Sequence, residues 1–258
     1  MINPSLDRSV DGHQACVHFL RTASSDCQHC TLRGSALFAD LLAPDLEAIA
    51  APIGNGVMRR GSVIYTAGDL GGAVFTVRVG VVKLLMELPG RGSRIVRLLG
   101  RGATLGLEAL AGRPYAHTAV SLRTTSLCQI PTGVVNALHA QHPRLIQGLM
   151  EKWNEQVVWA DRWIAILGTG TVSHRLADLV RLLVDISGDP LDAVQLPPVV
   201  DISAILGVSP ESVSRHMAEL KRTGLLTRLA PRTFRCHPSL LEAPPPETHW
   251  PGFEALAG

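Results

Sequence analysis

Glu211, Ser214 and Arg215 fall within one turn of a candidate helix, and Arg222 follows two turns later. At roughly 100° per residue these side chains share a face with Ala218, while Val213, Met217 and Leu220 share the opposite face. One side suits a protein core, and the other offers hydrogen-bonding groups. Those groups fit base edges: Arg donates two bonds to guanine, Glu accepts from cytosine, and Ser serves either base. Ser209 is the expected cap, with Pro210 in the first helical position and Gly224 as the stop. A Glu–Arg pair four apart also stabilises any surface helix. Here a short apolar helix with Ile202, Ile205 and Leu206 precedes it and turns at Gly207. That grammar is helix-turn-helix, with Ser209, Glu211, Ser212, Ser214, Arg215 and Arg222 as candidate DNA contacts.

The second reactive set is cysteine. Cys27 and Cys30 form a Cys-x-x-Cys pair, Cys16 lies upstream, and Cys128 sits in the apolar run SLCQIP. Cys27 and Cys30 with His18 or His29 have the ligand types of a zinc site. The same pair, or one member with Cys16, has what a thiol–disulfide switch requires. Cys128 alone also suits a small buried side chain. Cys236 falls in an expected surface hairpin and is left out of the set.

The 258 residues suffice for one large domain or two ordinary ones, and the 46% hydrophobic content supports real cores. The formal charge of +2 is a weak pointer to nucleic acid. Its distribution is stronger: Arg215, Lys221, Arg222, Arg228, Arg232 and Arg235 stand against only Glu211 and Glu219 between Glu211 and Cys236. Such a patch can neutralise several DNA phosphates. No secretory leader and no apolar run of membrane-spanning length is read, so a cytoplasmic chain without membrane contact is expected. Structural disulfides are then not expected.

These residues need elements to hold them. The pattern predicts an α+β chain. Residues 1–36 are a polar Cys-containing segment. Residues 37–141 are a sensor domain that opens with a helix pair over 37–51 and continues as an antiparallel β-roll of jelly-roll type. Strands are expected at 62–65, 73–77, 79–86, 94–99 and 118–130, punctuated by glycines. Residues 142–168 hold a long helix. Ile146, Leu149, Trp153, Gln156, Ala160, Trp163 and Leu167 recur there at alternating threes and fours, the period of a dimer seam, and Met150, Val157 and Ile164 form a second stripe. Gly168-Thr169-Gly170 reads as a hinge. Residues 169–238 form a winged helix-turn-helix with a hairpin at 225–236, and 239–258 a Pro-rich tail.

A β-roll, a long seam helix, a hinge and a winged helix-turn-helix together resemble the CRP/FNR family of transcription regulators. Glu211-Ser212-Val213-Ser214-Arg215 is similar to the Glu-x-x-Ser-Arg pattern of the FNR branch. The resemblance implies a homodimer that reads TTGAT half-sites on a palindrome through Glu211, Ser214 and Arg215, with RNA polymerase as a further partner. It also implies a [4Fe-4S] cluster that senses oxygen, nitric oxide or redox state. Thiolate is the usual ligand of such clusters. Cys128 resembles the central ligand and Cys27 and Cys30 two N-terminal ones. The family spacing would place the remaining ligand at Ala36, so Cys16 must substitute. In the cyclic-nucleotide binders of the family, a Gly-Glu meets the ribose and an Arg meets the phosphate. Here Gly106-Leu107-Glu108 displaces the acid by one residue and His117 stands for the arginine, which disfavours cyclic AMP. Haem, with His117 or His139 as axial ligand, or another small effector in the roll, is the alternative sensor. A cupin-type enzyme would need a His-rich set on the roll; His117 is the only histidine between His29 and His139, so no enzyme is expected.

Overall fold

The glycine punctuation does make a roll, though not with the expected strand breaks. The computed structural model describes residues 53–90, 92–139, 144–187 and 193–242. The Cys-containing segment 1–36, the helix pair expected over 37–51 and the end of the Pro-rich tail lie outside the described residues. The roll comprises β1 (Gly54–Met58), β2 (Val63–Tyr65), β3 (Ala73–Val79), β4 (Val82–Leu88), β5 (Gly92–Leu99), β6 (Thr104–Leu105), β7 (Thr118–Ser121) and β8 (Thr125–Pro131). A 3-10 turn, Leu107–Ala111, lies between β6 and β7. The strands form two antiparallel sheets ordered β1-β8-β3-β6 and β2-β7-β4-β5. Both sheets supply one core: Met58, Phe75, Val77 and Leu127 from the first, Ile64, Tyr65, Leu84 and Ala119 from the second.

Two runs expected as continuous strands are broken. The run 79–86 turns at Gly80, where φ is +100° and a side chain would collide with the backbone of Thr124 and Thr125. The run 118–130 splits at 122–124, and its halves join different sheets as β7 and β8. A two-sheet roll needs such a break, because one straight strand cannot serve both layers.

Helices α1 (Thr132–His139), α2 (Arg144–Gly168) and α3 (Val172–Ser187) follow, the last two flanking the expected hinge. Then come β9 (Ala193–Gln195), α4 (Val199–Leu206), α5 (Pro210–Arg222), β10 (Leu226–Ala230), β11 (Thr233–Cys236) and α6 (Pro238–Glu242). The expected hairpin has a third strand, giving the order β10-β11-β9. The tail boundary also shifts. Leu240 is buried and its carbonyl accepts from Arg181 Nε at 2.6 Å, so residues 239–242 belong to the folded domain.

The C-terminal core is not separate from the roll. Leu176, Leu179 and Leu183 of α3, Ile202 and Ile205 of α4, and Val213 and Met217 of α5 share one cluster with Ile95 and Leu98 of β5. Gly100 explains the close approach: a Cβ there would lie 1.9 Å from the Ile186 carbonyl oxygen. Lys83 Nζ meets Asp201 Oδ1 at 2.7 Å and ties β4 to the first turn of α4. Arg175 bridges two helix ends, donating to the carbonyls of Leu167 at 3.4 Å and Leu206 at 3.0 Å. Among the described residues no helix is long and apolar enough to cross a membrane.

Candidate nucleic-acid interface

The helix pair is built from local rules. α4 starts at Val199, two residues before the expected Asp201, after Pro198 in an extended conformation. It ends at Gly207, whose φ of +64° lets its N–H reach the Ser203 carbonyl at 2.8 Å. Ser209 then caps α5 by accepting from the Ser212 N–H at 3.3 Å, with Pro210 at the first position. Val213, Met217 and Leu220 are buried, which fixes the helix rotation. That rotation leaves Ser209, Glu211, Ser214 and Arg215 exposed and Ser212 half-buried. The Glu211 carboxylate is held below its ordinary value by its own backbone N–H and then by the Ser209 hydroxyl, so it is an anion ready to accept hydrogen bonds. Arg222, expected on the reading face, is held by Glu219 one turn back, Nε to Oε2 at 3.2 Å and Nη2 to Oε1 at 2.5 Å. Lys221 sits over the Phe234 ring of β11 at 5.3 Å, joining helix and wing.

The long helix corrects the expected seam. Trp163 and Leu167 are 7% and 3% exposed and lie in the chain's own core. Leu149 packs against the cluster under β3 and β8. Gln156 faces the roll, its amide donating to the Thr104 carbonyl at 3.0 Å. The outward stripe is instead Ile146, Met150, Trp153, Val157 and Ile164, spaced by fours and threes except for the last step, with Ile164 67% exposed. It merges parts of the two stripes read in the sequence, because the roll covers one flank of α2.

Of the candidate cluster ligands, Cys16, Cys27 and Cys30 lie outside the described residues, as do His18 and His29. Cys128 is half-buried on β8, its Sγ 3.2 Å from Asn55 Oδ1 across the β1–β8 ladder. Among the described residues no three His, Cys, Asp or Glu side chains converge as a metal site. Cys128 thus supplies one thiol of the four that a cluster needs. Cys236 is buried in the wing's base.

Between the roll and α2 lies a cavity of about 340 Å³. Arg97, Glu108 and His117 line it together with Tyr65 and Gln156. Arg97 was not legible as a functional residue. A bulge in β5 between Ile95 and Arg97 interrupts the alternation, so Ile95 and Leu98 face the C-terminal core while Arg97 turns to the roll's interior. Arg97 Nη1 donates to Gln156 Oε1 at 3.0 Å, and Glu108 Oε1 accepts the Ala116 N–H at 3.0 Å. Burial, and secondarily Arg97, pushes the His117 imidazole below its ordinary value. His139 is the last residue of α1 and is not among the residues lining this cavity.

The cyclic nucleotide-binding domain family matches residues 57–142. Among curated relatives, the transcriptional activator protein FnrA of Stutzerimonas stutzeri is 27% identical over 205 residues, covering 78% of this chain and 84% of its own. The fumarate and nitrate reduction regulatory protein of Vibrio cholerae is 22% identical over 206 residues, with 78% and 82% covered. FixK2 from Bradyrhizobium japonicum shares the fold at a TM-score of 0.64 and 22% identity, over 72% of this chain and 94% of that one. These matches run through the roll, the long helix and the helix-turn-helix as one unit. The chain belongs to the CRP/FNR family. Within the CRP/FNR architecture, α5 takes the place of the reading helix and α2 that of the long connecting helix.

Proposed function

We propose that the chain is a homodimeric, sequence-specific DNA-binding transcription regulator. The observation that carries this reading is α5: a capped helix whose buried Val213, Met217 and Leu220 turn Glu211, Ser214 and Arg215 outward. Ser209, Ser212 and Arg222 flank that face and serve the phosphate backbone. The half-site implied is TTGAT, read twice on a palindrome by two copies of α5 about one DNA turn apart. The outward stripe of α2 pairs the copies. RNA polymerase is the further partner of the bound dimer.

The signal proposed is oxygen, nitric oxide or redox state, sensed through a [4Fe-4S] cluster on Cys16, Cys27, Cys30 and Cys128. The half-buried thiol of Cys128 on β8 suits a soft ligand, and FNR-named relatives favour a redox cofactor. When bound, such a cluster supplies sensitivity to oxidants that the side chains lack. Anaerobic purification followed by absorption spectra and iron and sulfide analysis tests this. A brown protein with stoichiometric iron and sulfide supports it, and a colourless, metal-free protein that still binds its operator tightly refutes it. The cavity favours a second reading, in which the same DNA output answers a small effector in the roll. Cys27→Ser and Cys128→Ser would then leave regulation intact.

A further inference from the structure

The cavity between the roll and α2 has one cation and mostly apolar walls. Leu84, Leu99 and Leu105 supply apolar surface, and Arg97 enters from the bulge in β5. The guanidinium has five N–H donors, and its hydrogen bond here goes to a neutral amide, Gln156 Oε1 at 3.0 Å. Gln156 is itself held by the Thr104 carbonyl at 3.0 Å, so the amide is a positioned support for Arg97. Among the described residues no carboxylate lies within ion-pair distance of Arg97. The other charged and titratable groups facing the space are Glu108, His117, Tyr65 and Asp161. Glu108 spends Oε1 on the Ala116 N–H, and Asp161 lies on the exposed side of α2. His117, where the family's nucleotide binders carry the phosphate arginine, is kept neutral at pH 7 by burial and by Arg97. Burial also draws the Arg97 guanidinium below its ordinary value, which is the cost of desolvating a cation without an anion. A charge-assisted bond from an anion offsets that cost.

We propose that this cavity binds a small organic anion, its carboxylate or phosphate head on Arg97 and its apolar body against Leu84, Leu99 and Leu105. The volume of about 340 Å³ lies within the range of small-molecule sites. The cation comes from β5, on a different strand from His117, so the ligand is not placed as a cyclic nucleotide would be. Trp153 and Val157 of α2 line the same space and also belong to the outward stripe. A ligand there touches both the roll and the pairing face, and so biases how two copies meet. This regulatory part rests on the DNA-binding reading above; the binding part does not.

The test titrates the full chain with phenylacetate, phenyl phosphate, uncharged 2-phenylethanol and cyclic AMP by calorimetry, with Trp153 fluorescence as a second readout. Saturable binding of either anion is expected, and the anion that binds identifies the head group. Binding of 2-phenylethanol should be weaker by about tenfold or more, the worth of one charge-assisted hydrogen bond. Arg97→Gln should lose the anion by a similar factor, and Arg97→Lys should retain part of the affinity. Leu84→Phe fills the cavity with Arg97 in place and should abolish binding while thermal unfolding stays cooperative, which decides the matter if Arg97→Gln fails to fold. The proposal is overturned if no anion binds, if the alcohol matches the acids, if folded Arg97→Gln binds unchanged, or if cyclic AMP binds more tightly than either anion. Repeating the titration with operator DNA separates the two readings. Anion binding without any change in DNA affinity overturns the regulatory part. Anion binding in a chain with no DNA affinity supports the site and refutes the regulator.

Discussion

Ser209 does two jobs at one position. Its hydroxyl satisfies an N–H of the first turn of α5, and it helps hold the Glu211 carboxylate as an anion. Ser209→Ala should therefore destabilise the C-terminal domain by about 1 kcal/mol, measured by urea unfolding; an unchanged midpoint would show the cap to be idle. His117 permits a test by pH. Its folded-state value lies below the ordinary one, so the unfolded chain binds the proton more readily. Its contribution to stability is complete above the ordinary imidazole range and is lost as pH falls through it. His117→Gln should flatten the fall in melting temperature between about pH 7.5 and 5.5, a window around the ordinary histidine value. Parallel curves for the two proteins would remove His117 from the account.

At the scale of elements, α2 shows what periodicity can and cannot reveal. Threes and fours over 146–167 announce a long two-sided helix, and the helix is there. The same spacing cannot say which flank the roll covers. Trp163 and Leu167 go to the chain's own core, and Ile146, Met150, Trp153, Val157 and Ile164 stay outside. Ile164→Glu should accordingly yield monomers in sedimentation velocity without loss of helix content; an undisturbed dimer would locate the interface elsewhere. The reading helix was legible almost to the residue, because cap, proline, buried stripe and glycine stop are all local signals. Strand ends were less so, since Gly80 and the break at 122–124 answer to a two-layer roll that no short window contains. Arg97 was hidden for a related reason: the bulge in β5 reverses the alternation that would have placed it outside.

At the scale of the whole molecule, the roll and the helix-turn-helix are packed into one cluster. Ile95 and Leu98 meet the helices of the C-terminal domain, Lys83 pairs with Asp201, and Arg175 joins the ends of α2 and α4. A change in the roll therefore has a short route to the element that carries Glu211, Ser214 and Arg215. A ligand or cluster can use that route only if it favours one arrangement over another. The central claim remains that α5 reads DNA, and fluorescence anisotropy tests it directly. The titration uses one duplex carrying inverted TTGAT half-sites one turn apart and a second with those bases scrambled, at one fixed salt concentration. The account predicts preference for the first duplex, and a loss of about 1–3 kcal/mol of that preference per half-site in Arg215→Ala. Equal affinity for both duplexes, or an Arg215→Ala variant as selective as the parent, would contradict it.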